Sequence, residues 1–75
     1  MKFTRINEAS TYGYRADVGD RMAEVLRSYP GDWFVFAKIG KAVCKAWEGS
    51  QGDYAQALRA ARAFLNREVT PEIWT

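Results

Sequence analysis

Cys44 is the only cysteine of the chain and histidine is absent, so neither an internal disulfide nor a structural zinc site can hold the fold together. The 75 residues must therefore reach stability through one apolar core. A chain of this length makes a single domain, 1–75, with an expected stability of about 4 to 11 kcal/mol. The hydrophobic share, 48%, is that of a folded domain rather than a disordered segment.

The same composition closes off most chemistry. Without imidazole there is no histidine base, proton shuttle or metal ligand. None of the glycines, at 13, 19, 31, 40, 49 and 52, belongs to a phosphate-binding loop followed by Lys-Ser or Lys-Thr. Asp17, Asp20 and Glu24 form an acidic cluster, and helix capping by Asp20 accounts for it better than a cation site does. Cys44 has Lys45 beside it in place of a base and reads as a buried thiol. The sequence thus predicts a non-enzymatic protein with no catalytic residue, no metal and no cofactor. The longest uninterrupted apolar run, Trp33 to Ala37, is far below the roughly 20 residues that cross a bilayer. Met-Lys-Phe-Thr-Arg at the start is not followed by the apolar run of a signal peptide. With the single cysteine, these features predict a cytoplasmic protein with no membrane association.

Residues 1–32 balance Lys2, Arg5, Arg15, Arg21 and Arg27 against Glu8, Asp17, Asp20, Glu24 and Asp32, so the whole net charge of +2 lies in residues 33–75. Nucleic-acid binders usually carry a stronger excess.

Along the chain, 2–6 is a strand candidate, followed by a turn at 7–11. Over 12–18, Tyr12, Tyr14, Ala16 and Val18 alternate with Gly13, Arg15 and Asp17, the period of a strand with both tyrosines on one face. Met22, Val25, Leu26 and Tyr29 then fall at helical spacing, and Tyr29-Pro30-Gly31 stops them, which predicts a short helix at about 21–28 with Asp20 as its cap. The alternative is a strand returning from a Gly19-Asp20 turn, which sets Glu24 opposite Arg15. Trp33-Phe34-Val35-Phe36 has strand composition. Gly40-Lys41 suits a two-residue turn returning through 42–47, although Phe36, Ile39, Val43 and Trp47 also fit a helical stripe. Asp53 with Gln56 makes a capping box for a helix at 53–67, striped by Tyr54, Ala57, Leu58, Ala61, Phe64 and Leu65. Thr70-Pro71 ends it, leaving Ile73 and Trp74 in a tail that must fold back on the core or meet something else.

If 33–47 is a hairpin, Ile39 faces Ala42, Ala37 faces Cys44 and Val35 faces Ala46 on a side suited to a covering helix. The other side carries Phe34, Phe36 and Trp47 interleaved with Lys38, Lys45 and Val43. Aromatics beside lysines on an open sheet face stack bases and neutralise phosphates, and the same set serves as the centre of a protein interface. Arg59, Arg62 and Arg67 lie on the polar side of the last helix. The candidate partner-binding residues are Phe34, Phe36, Trp47, Trp74, Lys38, Lys45, Arg59 and Arg62.

Residues 22–38, with Leu26 and then Pro30-Gly31-Asp32-Trp33-Phe34-Val35, resemble the helix, Pro-Gly-x-Trp turn and strand of small accessory proteins of phages and mobile elements. The resemblance implies inhibitors or modifiers of host machinery, anti-CRISPR proteins included, and small DNA binders. Residues 33–66, WFVFAKIGK and then the capped helix with Arg59 and Arg62, are similar to the strand-strand-helix arm-binding domains of tyrosine recombinases, except that Ala42, Cys44 and Ala46 replace the usual polar strand.

Together these readings predict an α+β fold, a small antiparallel sheet packed against a C-terminal helix, with three helices at 21–28, 33–48 and 53–67 as the alternative. They predict a phage-type inhibitor or modifier that docks on a host protein or nucleoprotein complex. The other reading is a small nucleic-acid-binding module using Lys38, Lys41, Lys45 and the helix arginines.

Overall fold

The computed structural model describes residues 2–7, 12–27, 31–44 and 52–73. Five strands, β1 (Thr4–Arg5), β2 (Tyr12–Val18), β3 (Arg21–Arg27), β4 (Trp33–Ile39) and β5 (Ala42–Val43), precede one helix, α1 (Tyr54–Leu65). The strands form one antiparallel sheet in chain order, β1 to β5, and the helix packs on the centre of one face, against β3 and β4. This is the α+β arrangement expected.

Two hairpins set the register. Gly19 and Gly40 take φ of 63° and 60° at the first central position of their two-residue turns, the conformation a type II′ turn needs and glycine adopts without strain. Val18 is thereby paired with Arg21, and Ile39 with Ala42. The Ala37 to Cys44 approach follows as expected, with the Cys44 amide donating to the Ala37 carbonyl at 3.0 Å. Residues 45–47 lie outside the described residues.

The helix expected at 21–28 is instead strand β3. Arg15 stands opposite Glu24, as the alternative reading required, and Arg21–Arg27, within the stretch that the phage-protein resemblance reads as helical, is extended. The reason is position: β3 is the central strand, with Arg21, Ala23 and Val25 buried on the helix side and Met22, Glu24 and Leu26 half-buried on the other. Apolar residues on both faces erase the alternation of a half-exposed strand. Asp20, expected as a helix cap, is the second residue of the Gly19-Asp20 turn and pairs with Arg67 at 2.8 Å.

The core lies between sheet and helix. Ala16, Ala23 and Ala37 meet a helix face containing Ala57 and Ala61, and small side chains on both layers let Phe64, Leu65, Val25 and Val35 fill the remaining space. Leu58 is only partly buried at the margin. The capping box is formed: the Gln56 amide donates to Asp53 Oδ1 at 2.9 Å, and the Asp53 amide donates to Gln56 Oε1. The other end closes two residues before the expected Arg67, in a Schellman turn. The Glu68 amide donates to Ala63 O, the Arg67 amide donates to Phe64 O, and Arg67 itself takes φ of 62°. The tail folds back, Ile73 bridging Cys44 at the sheet edge. Trp74 lies outside the described residues.

On the face away from the helix, Gly13 sits against the pairing of β2 with β3. A Cβ at this position would collide with the Val25 carbonyl oxygen, a backbone atom that cannot swing aside, and press on Leu26. Gly13→Ala is therefore expected to cost about 1 to 3 kcal/mol through local separation of the strands. Urea titration checks this, and a loss under about 0.5 kcal/mol would show that the strands part there freely.

Candidate binding surface

The register sorts the expected site residues onto separate surfaces. Phe34, Phe36 and Lys38 point away from the helix, on the face the hairpin reading gave them, and all three are half-buried. Cross-strand pairing sets Gly13, Leu26 and Phe34 in one row, with Ile6 beside Gly13; Arg15, Glu24 and Phe36 in the next; and Asp17, Met22, Lys38 and Val43 in a third. The middle row contains an ion pair, Arg15 Nε donating to Glu24 Oε2 at 2.8 Å. With Glu24 held by Arg15 and Asp20 by Arg67, the acidic cluster of Asp17, Asp20 and Glu24 is split. Arg59 and Arg62 are exposed on the helix, where they line a shallow depression with Leu58 and Glu68, and the helix occupies the opposite side of the sheet from Phe34. Lys45, Trp47 and Trp74 lie outside the described residues.

A second surface forms on the helix side, at the end where α1 begins. Tyr12, Arg27 and Trp33 share one row across β2, β3 and β4. Tyr14 is next along β2, and Tyr54, the first helical residue, reaches both Trp33 and Tyr14, with ring centroids 4.9 and 5.8 Å away. Tyr12 meets Tyr14 at 6.4 Å and Trp33 at 6.1 Å, both edge to face, the geometry that aligns the positive rim of one ring with the negative face of the next. The guanidinium carbons of Arg5 and Arg27 lie 4.7 and 5.9 Å from the Tyr12 centroid. Tyr12 is 40% exposed and Tyr54 37%. A side-chain hydrogen bond with Tyr12 and the adjacent phenol raise the Tyr14 pKa above its ordinary value.

This cluster escapes a sequence reading that makes 21–28 helical, because only strand β3 brings Arg27 between Tyr12 and Trp33. The available signal was the period-two pair Tyr12 and Tyr14 combined with the Gly19-Asp20 hairpin: counting back from that turn sets Arg27 opposite Tyr12.

Burial pushes the Cys44 thiol up, with nearby Arg21 pulling the other way, so the sulfur is a core group held in its neutral form. Among the described residues no helix is long and apolar enough to cross a membrane. Comparison with protein families, curated proteins and solved structures found no match to this chain.

Proposed function

We propose that the chain is a non-enzymatic binding protein that docks on a partner protein through the ring cluster at the start of α1. The observation that carries this reading is the composition of that surface. Tyr12, Trp33 and Tyr54 stand with two arginines that have no carboxylate partner among the described residues. Tryptophan, tyrosine and arginine are the residue types that dominate binding energy at protein interfaces. The rings brace one another edge to face, so little side-chain freedom is lost on binding. In its narrower form, resting only on the Pro30-Gly31-Asp32-Trp33 motif of that resemblance and not on its helix, which is strand β3 in this fold, this is a phage-type inhibitor acting on a host protein.

A second reading, nucleic-acid binding, draws on Lys38 beside Phe36 on the opposite face of the sheet. Capture of a partner from lysate with and without nuclease separates the two. Once the partner is in hand, Tyr12→Ala is expected to weaken its affinity by about 2 kcal/mol, roughly 30-fold, while the melting temperature stays near that of the unsubstituted protein. Unchanged affinity would show that the cluster only braces the fold.

A further inference from the structure

We infer that the arginine pair around Tyr12 is a carboxylate-binding site, and that the segment of the partner protein seated there is acidic; this rests on the ring cluster being the docking surface.

Of the seven arginines, Arg59 and Arg62 are exposed on the helix, and the other five fall into two groups. Arg15 is paired with Glu24, Arg67 with Asp20, and Arg21 donates to carbonyls. Arg5 and Arg27, in contrast, are exposed and lie against the Tyr12 ring, with no carboxylate partner among the described residues. A guanidinium resting on an aromatic ring has its plane held while its N–H edge stays turned to solvent, the presentation that matches a carboxylate through two parallel hydrogen bonds. Ordering the fork in advance removes much of the entropy cost of binding. Arg5 also lines a depression across β1 and β2 with Lys2, Arg15 and the single carboxylate Asp17, so positive charge continues from the ring cluster over the sheet edge.

Two observations favour a carboxylate-bearing peptide over a nucleic-acid strand. Tyr12 already has guanidinium groups against its ring, and its neighbours meet edge to face, so open ring faces for stacking successive bases are few. The net charge of +2 is also small for a chain that must follow a phosphate backbone.

The test is an amide NMR titration of the full chain with two defined ligands, a hexaglutamate peptide and an oligothymidylate of similar charge. The expected result is that hexaglutamate shifts the Arg5, Tyr12, Arg27 and Trp33 signals. Arg5→Gln with Arg27→Gln should weaken that binding at least about tenfold with the spectrum otherwise folded, and Lys41→Gln, at the far end of the sheet, should change it less than about twofold. Arg27→Lys keeps the charge and loses the fork, and an intermediate affinity supports bidentate recognition. Tighter binding of the oligothymidylate, lost in the same double variant, would overturn the assignment in favour of phosphate. Absence of shifts with both ligands would also overturn it, and would leave intact a Tyr12-dependent partner captured as described above, so the two proposals fail separately.

Discussion

Arg21→Ala is expected to destabilise the protein by about 3 to 5 kcal/mol, a large share of what a domain of this size has. Arg21 is 5% exposed on the core-facing side of the central strand, where an aliphatic residue would be the ordinary choice. Its Nη1 donates to Phe64 O at 2.8 Å and to Val69 O at 3.0 Å, and its Nη2 to Thr70 Oγ1 at 2.9 Å. The guanidinium therefore ties β3 to the last turn of α1 and to the segment beyond it, where a cation is also favoured by the helix dipole. Its carbon lies 4.8 Å from the Phe64 centroid, so the stem and head both pack. Opposing these gains is the cost of burying a cation whose Nε has no partner. Arg21→Met keeps the stem without the donors, and its loss should be intermediate. Denaturant melts followed by circular dichroism measure both, and a loss below about 1 kcal/mol for Arg21→Ala would mean that the burial cost cancels the hydrogen bonds.

Phe64→Ala should cost a similar amount, about 3 to 5 kcal/mol, the usual range for emptying a phenylalanine site. Phe64 is fully buried beneath the sheet and is the largest side chain so placed among the described residues. Ala23, Ala37, Ala57 and Ala61 surround the interlayer space and cannot extend into the vacancy. Because the ring also carries the Arg21 guanidinium, the two losses should not add: the double variant is expected to fall short of their sum by about 0.5 to 3 kcal/mol. Full additivity would show that ring and guanidinium act independently.

The residues that announced their structure were those with one dry face and one wet one. Tyr12–Val18 alternates cleanly because β2 has Arg15 and Asp17 in solvent, and its bounds are those expected. The Asp53 and Gln56 pair located the helix start because a capping box is a local matter of four residues. Gly40 located the second hairpin because few residue types suit that turn. β3 hid itself by filling both faces and by placing an arginine where the core expects a methylene chain. The candidate site followed the same logic: Phe34, Phe36 and Lys38 came out on one face because their strand was legible. The cluster of Tyr12, Trp33 and Tyr54 depended on long-range register through β3 and was missed.

The uninterrupted chain order of the strands has a kinetic meaning. Each hairpin closes between segments adjacent in the chain, and such closures take microseconds. Among the described residues, the side-chain hydrogen bonds that span the greatest length of chain, Arg21 to Thr70, Arg21 to Val69 and Arg67 to Asp20, belong to the docking of the helix and the segment after it on the sheet. Loop-closure entropy makes such contacts late ones. Interactions that form after the rate-limiting barrier govern how fast a protein comes apart rather than how fast it assembles. The Arg21 clasp is thus a brake on escape from the native state, and its removal shortens the lifetime of the folded molecule while leaving its rate of formation nearly unchanged.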